Sequence, residues 1–373
     1  MFESVPIWMM VAGFLLVLGP LVTVHEFGHY LVGRLFGVKA EAFSVGFGSE
    51  LVGRTDKRGT RWKLSALPIG GYVQFKGDMN PASAADHSAL DGMARAEREQ
   101  CFQTKSLWQR ALIVAAGPAT NFIVAILILA AFALAYGRPV IPAEVAGVQE
   151  GGAAAAAGIA AGDTIRAVDG TPITDFRELA DRVTTNPGGE IALTVAKADG
   201  GEMVIPFTIP TIVERDRFGN EYRIGRLGIA SAPGEWVPVG PLEAVKEGVV
   251  QTGDIVVMMV QGIQQIVTGR RPISELGGPL RIAKYSGEQM SLGWQSYASF
   301  AALISINLAF INLLPIPGLD GGHLAFYAAE AVRRKPLGRR SQEWALRTGM
   351  ALVLALMLFV TVNDLATLRL FGS

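Results

Sequence analysis

The chain has 373 residues, half of them hydrophobic, a single cysteine, and 33 basic against 33 acidic side chains. Its mean hydropathy of +0.34 is too high for an ordinary soluble enzyme and points to a membrane protein with a soluble insert. The balanced charge argues against a general nucleic-acid binder, and a lone Cys101 excludes both an intramolecular disulfide and a cysteine-ligated structural zinc.

The opening "MFESVPIW" carries Glu3 and no basic residue. It lacks the positive region of a cleavable signal peptide, so the first hydrophobic segment is expected to stay in the mature protein. Four stretches are free of charge: residues 7–24, 111–136, 289–319 and 348–363. Spanning takes about 20 apolar residues, or fewer with snorkelling flanks, so each predicts a membrane helix, the fourth extended by Trp344 and Arg347. A fifth stretch, 255–269, follows Gln251 and Asp254 and is punctuated by Gln261, Gln264 and Gln265. It reads as an amphipathic helix on the membrane surface.

Basic residues orient these spans. Arg34 to Arg110 supply twelve lysines and arginines between the first two spans, and "RRKPLGRR" (333–340) lies between the last two. The positive-inside rule makes both loops cytosolic and puts both termini and the insert outside. The expected organisation is a polytopic α-helical membrane protein. It has a first span in 1–36, a cytosolic loop with a membrane-associated β-hairpin in 37–107, and a second span in 108–137. An extracytosolic αβ module follows in 138–232, then an amphipathic surface segment in 233–290, a third span in 291–325, a basic loop in 326–342, and a fourth span with the C-terminus in 343–373.

Within the first loop, "KAEAFSVGFG" and "TRWKLSALPIGGYVQFKG" alternate around Gly70-Gly71, as strands meeting in a tight hairpin would. The extracytosolic module shows β-rich runs at 164–168, 191–196 and 203–209, a helix at 175–183, and turn pairs Asp169-Gly170 and Gly188-Gly189. The alanine run at 153–157 reads as low-complexity linker. Segment 274–287, "SELGGPLRIAKYSG", fits either a lid or a plain loop into the third span.

The chemistry-bearing motif is "HEFGH", His25 to His29, at the end of the first span. An intramembrane carboxylate costs roughly 2.5–3.5 kcal/mol on the gentlest scale, so Glu26 marks a functional site. Residues four apart share a helix face, so His25 and His29 can grip one Zn2+ while Glu26 takes a proton from a water whose pKa the metal lowers to about 7. The alternative, a solvated helix face, is denied by the membrane. A third ligand is sought in "NLLPIPGLDGGH", which holds Asp320 and His323 and where Pro315, Pro317 and Gly318 break the third span. The first and third spans run in the same direction, which brings HEFGH and Asp320 to one depth. Read by itself, Asp320 is equally a turn residue.

HEFGH in the first span, "NLLPIPGLDGG" in the third and an extracytosolic module between spans two and three resemble the site-2 protease family of intramembrane zinc metalloproteases, in particular its bacterial regulator-of-sigma-E branch. The resemblance implies zinc held by His25, His29 and Asp320, with Glu26 as catalytic base. It implies a PDZ domain in 138–232, single where the best-known enterobacterial form has two, and a hairpin at Gly70, Gly71 and Tyr72 that helps hold substrate. It places Asn312 near the scissile peptide, where it would hold an extended substrate or stabilise the tetrahedral oxyanion. "GPATN" resembles a family motif in the second span, and its Asn121, like Asn307, serves either substrate or a helix–helix hydrogen bond. It further implies single-span membrane proteins as substrates, cut after an upstream site-1 protease, among them anti-sigma factors or signal-peptide remnants, in a bacterial inner membrane. Two other classes stay open on the residues alone: a non-catalytic PDZ receptor or scaffold with a structural metal, and a metal transporter. An intact Glu26 speaks against the first, and ionisable groups gathered at one depth against the second.

Overall fold

The computed structural model describes residues 5–77, 93–215, 221–269, 277–335 and 338–367. His87, Ser274, Glu275 and Leu276, together with Pro336 and Leu337 of the basic loop, lie outside the described residues. The chain divides into two compact units, Met1–Ala130 with Val245–Ser373, and Ala131–Ala244.

In the first unit, α1 (Ile7–Leu35) and α2 (Leu107–Tyr136) are long, predominantly apolar helices. Helix α1 tolerates Pro20 in its interior, and it ends where Gly37 turns left-handed. The Gly37 N–H donates to Arg34 and the Val38 N–H to Gly33, a Schellman closure that only the missing Cβ makes inexpensive. Among the described residues four helices are long and apolar enough to cross a membrane: α1, α2, and two later ones, at Trp294–Leu313 and Gln342–Leu365. Along the last of these Leu352, Leu354, Leu358 and Val362 are exposed, the face that lipid would cover.

Between α1 and α2 run β1 (Ala40–Thr55) and β2 (Arg61–Phe75). Residues 42–45 pair with 71–74 on one side and 61–64 on the other, while 50–55 close onto 61–65. The two long strands thus curl into four short rungs, with 71–75 at one edge. The hairpin turn is not at Gly70-Gly71, as the sequence suggested. It lies at 56–59, where the Asp56 carboxylate accepts the Arg58 and Thr60 N–H groups at 2.8 and 3.0 Å and Gly59 has φ +81°. Gly70, at φ +124°, is instead the kink inside β2 that redirects 71–75, and the Phe47 ring lies where its Cβ would stand. Cys101 is fully buried behind this sheet, and burial pushes its thiol up from the ordinary value; it packs as an inert small apolar group.

The second unit carries β3 (Arg138–Val140), β4 (Val145–Val148), β5 (Thr164–Val168), β6 (Thr171–Pro172), α3 (Phe176–Thr184), β7 (Glu190–Ala196), β8 (Glu202–Thr208), β9 (Thr211–Arg215), β10 (Glu221–Gly225), β11 (Ile229–Ser231) and β12 (Glu235–Val237). Its central sheet has the order β6-β5-β7-β8, flanked by the pairs β3–β12, β4–β11 and β9–β10. Helix α3 begins where Asp175 accepts the Arg177 N–H, an N-cap that satisfies one orphan donor. Val145, Ile165, Leu179, Leu193 and Val195 form a fully buried core. The alanine run is no linker: Ala153–Ala156 is a helical turn, and Ala154 is fully buried in that core. The unit is wider than 138–232, since β12 pairs with β3.

Back in the first unit, α4 (Pro241–Val267) is longer than the 255–269 helix the glutamines suggested. Ile255, Val256 and Met259 pack against a buried cluster made by Ala125 of α2 with Ala302 and Ile306 of the following span. Helix α5 (Pro279–Ser291) replaces the loop reading of 274–287 over its described part. Asp364, fully buried, accepts the N–H groups of Gly278 and Arg281 at 3.0 Å and so caps α5 from the far end of the last helix. α6 (Trp294–Leu313) follows, then α7 (Asp320–Arg333) and α8 (Arg339–Thr367). Tyr297 donates to the Gly13 carbonyl at 2.6 Å, and Val17 and Leu21 pack on Ile304. α1 and α6 therefore run side by side in the same direction.

Candidate active site

The same direction for α1 and α6 brings their later ends together. α6 stops at Leu313, the prolines at 315 and 317 carry the chain through a short break, and α7 starts at Asp320. The break is tight: a Cβ on Gly321 would overlap the carbonyls of Leu313 and Leu314. Asp320, in the first turn of α7, thereby meets the α1 motif. Its Oδ2 lies 3.1 Å from His25 Nε2 and 3.5 Å from His29 Nε2, and the two imidazole nitrogens are 3.2 Å apart. Zn–N and Zn–O bonds of about 2.0–2.1 Å in tetrahedral geometry place neighbouring ligand atoms roughly 3.3 Å apart, so the three donors have the spacing of one tetrahedral face. Both histidines are buried, and Asp320 Oδ2 is a buried atom with no hydrogen-bond donor among the described residues. An oxygen so placed is costly unless a cation completes it.

The other side of each ring is accounted for. His29 Nδ1 donates to the Ile113 carbonyl at 2.8 Å, which fixes its tautomer and leaves the Nε2 lone pair for a metal. His25 Nδ1 is 3.3 Å from the side-chain amide of Asn121. A histidine that ligates through Nε2 holds its proton on Nδ1 and needs an acceptor. The Asn121 amide oxygen, buried and otherwise unpartnered among the described residues, supplies one once the amide is rotated by half a turn. Asn121 itself is held by its backbone carbonyl, which accepts from Ser305 Oγ at 2.7 Å.

Glu26 stands beside the triad with its Oε2 accepting the Val73 N–H at 3.1 Å. That donor belongs to the edge rung 71–75. A cavity of about 200 Å3 joins Glu26 and the three donors to Val73, Phe75, Asn312 and His323. The chemistry this supports is hydrolysis: a trio of neutral and anionic donors suited to Zn2+, with an unligated carboxylate next to it to move a proton.

Comparison with known proteins agrees with that chemistry. The family model for Peptidase family M50 matches residues 13–356. The chain belongs to peptidase family M50. It is therefore a membrane metalloprotease by family, and zinc is the family's metal. Among its relatives, a protein of Agrobacterium fabrum described as a putative zinc metalloprotease is 48% identical, over 95% of both chains. A protein of the same description from Rhizobium meliloti is 43% identical over 94% of this chain and 95% of its own. The metalloprotease MmpA of Caulobacter vibrioides is 37% identical over 95% of both.

Within this M50 peptidase the remaining sequence-predicted residues divide. Asn312 lines the cavity and Gly71 lies beside Glu26, a Cβ there standing 3.8 Å from Glu26 Cγ. Asn307 is not among the cavity-lining residues. Tyr72 turns away and stacks on Phe47 with ring centres 6.1 Å apart. Asn121 reaches His25 and is not among the cavity-lining residues, so its place is behind His25. Three contributors were not legible: the Ile113 carbonyl and the Val73 N–H, which are backbone groups with no letter in the sequence, and Gly117, whose missing Cβ leaves room for both imidazoles. Asn121→Ala is expected to weaken zinc binding by about 10–100-fold, measured by competition with a chelator. Asn121→Asp, which restores an acceptor to His25 Nδ1–H, is expected to bind at least as tightly as wild type.

Proposed function

We propose that the chain is an intramembrane zinc endopeptidase in which His25, His29 and Asp320 hold the metal and Glu26 is the general base. The observation that carries this is the convergence of the three donor atoms at 3.1–3.5 Å beside a carboxylate tethered by a backbone N–H. When bound, zinc supplies a Lewis acid for a carbonyl and lets water deprotonate near neutral pH. Glu26 takes the proton of the attacking water on Oε1 while Oε2 stays on Val73, and then delivers that proton to the leaving amine nitrogen. The Val73 tether aims the carboxylate, which saves reorganisation at the moment of reaction.

The substrate is an unwound transmembrane segment. An intact helix keeps each backbone carbonyl in an internal hydrogen bond, so the scissile one has to be freed before it can meet Glu26 and the donor trio. Unwinding frees backbone donors and acceptors, which the edge rung 71–75 satisfies by adding the peptide as a further strand. Asn312, also on the cavity wall, contacts the same peptide.

In this reading the second unit is a PDZ domain. It has a groove of about 640 Å3 between α3 and residues 224–230, lined by Phe176, Leu179, Val183, Leu227 and Ile229, suited to an extended apolar peptide. Placed outside a bacterial inner membrane, with both termini on that side and the metal site near the cytosolic face, it would exclude single-span proteins not yet trimmed by a site-1 protease. Anti-sigma factors and signal-peptide remnants fit that substrate class.

The test compares membranes from wild-type cells and from cells carrying Glu26→Gln. Single-span fragments with short extracytosolic ends accumulate in the variant if the reading holds. Indistinguishable membrane proteomes, with the variant expressed and zinc-loaded, would sink it.

A further inference from the structure

Four histidines occur in the chain. Two stand in the donor trio, one lies outside the described residues, and His323 remains. The sequence put it in the same stretch as Asp320, as a rival for third ligand. The described residues form one group of three donors close enough to share an ion, His25, His29 and Asp320, and His323 is not in it.

His323 is nonetheless on the wall of the same cavity. It stands three residues after Asp320 on α7, and residues at that spacing share a helix face with Cβ atoms about 5–6 Å apart. Its ring sits edge-on to Phe326, with an interplanar angle of 87° and ring centres 6.4 Å apart. Among the described residues no hydrogen bond is made by either nitrogen. A half-buried imidazole carries one donor and one acceptor, and polar groups in such a setting are normally satisfied. The partner has to come from what enters the cavity. Beside a carboxylate general base and a divalent metal, the group that gains negative charge during hydrolysis is the carbonyl oxygen of the scissile bond, and a fixed neutral N–H one helical turn from the metal ligand is suited to meet it.

We infer that His323 is a catalytic residue that donates its ring N–H to the scissile carbonyl oxygen as that oxygen becomes an oxyanion. The inference rests on the proteolytic reading of this site. The imidazole keeps its proton throughout: it forms no bond to carbon, and Glu26 alone carries the proton from water to amine. Because the donor addresses a backbone carbonyl, His323 sets the rate at every cleaved sequence and contributes nothing to choice among them.

The experiment uses purified full-length protein in lipid nanodiscs, with a single-span substrate, and the variants His323→Ala and His323→Gln. Zinc stays at one per chain in both variants. His323→Ala lowers kcat by about 100-fold or more, the loss typical of one oxyanion donor, while KM changes less than threefold, and His323→Gln, which keeps an N–H, recovers part of the loss. Affinity for a phosphinic peptide, whose tetrahedral centre mimics the oxyanion, falls by the same factor as kcat/KM. Affinity for uncleaved substrate, compared between Glu26→Gln and Glu26→Gln/His323→Ala, does not change. Three results each overturn the inference: a rate within threefold of wild type, zinc lost from both His323 variants, or substrate affinity falling as far as kcat/KM. If wild-type protein neither cleaves nor holds zinc, the proteolytic reading itself falls, a pattern distinct from all three.

Discussion

Glu26→Gln is expected to abolish measurable cleavage, with kcat down by about 10²–10⁴-fold, the usual contribution of a positioned general base, and with zinc content unchanged. At 1.36 kcal/mol per tenfold this is a loss of about 3–5 kcal/mol of transition-state stabilisation. The substitution is a clean one for a structural reason. Oε2 of Glu26 accepts the Val73 N–H, and a glutamine amide oxygen accepts it as well. The edge rung 71–75 therefore keeps its tether to α1, and with it the strand on which the peptide docks in the proposed mechanism. What is lost is the second oxygen, the one free to take a proton. KM should accordingly stay within a few-fold of wild type, because ground-state binding does not use that oxygen. Glu26→Ala is a poorer probe: it leaves the Val73 N–H without its partner and mixes a structural defect with the chemical one. Purified wild type and variant, matched for zinc by elemental analysis, decide the matter on a single-span substrate. A Glu26→Gln protein that cleaves within tenfold of the wild-type rate with full zinc would remove Glu26 from the mechanism.

How far the letters of the chain carried this site depends on which group does the work. His25, Glu26 and His29 were legible because helical periodicity places side chains four apart on one face. Asp320 was reachable in a second way, since basic residues give α1 and α6 the same direction and hence a shared depth. The structure puts those helices side by side in that direction. Backbone groups were another matter. Val73 N–H and the Ile113 carbonyl hold Glu26 and His29, and any residue type would supply them. The Gly70-Gly71 pair misled for a related reason: glycine marks positive φ equally in a turn and in a kinked strand. The true turn depended on Asp56 folding back onto two backbone N–H groups. Asn121 read as a substrate contact or a helix bridge because a sequence does not say which face of α2 meets α1. Ala153–Ala156 looked like linker because small residues are chosen both where nothing packs and where packing is tightest.

Gly117 allows a prediction whose sign separates two explanations. In the middle of α2, exchanging glycine for alanine should stabilise an isolated helix by about 1 kcal/mol, so a glycine that served the scaffold alone would give a variant at least as stable as wild type and fully active. Here the position faces the donor trio. A methyl group at Gly117 would overlap His29 Nε2 and stand 2.8 Å from His25 Nε2, the two atoms that face Asp320 Oδ2. Neither ring has room to retreat. His29 is fastened by Nδ1 to the Ile113 carbonyl one turn earlier on α2, and His25 abuts Asn121 one turn later, so α2 grips both rings on either side of the glycine. The helices must part, or the imidazoles must leave their tetrahedral spacing. A displacement of about 1 Å at a reacting centre already costs on the order of 100-fold in rate. Gly117→Ala is therefore expected to lose zinc on dialysis under conditions where wild type keeps it, and with it all cleavage, while circular dichroism shows the helices intact. Gly117→Ser, with one more heavy atom, is expected to be no better. Full zinc occupancy and wild-type activity in Gly117→Ala would mean that α2 does not press against the imidazoles, and the close packing of α1 on α2 at the metal site would have to be abandoned.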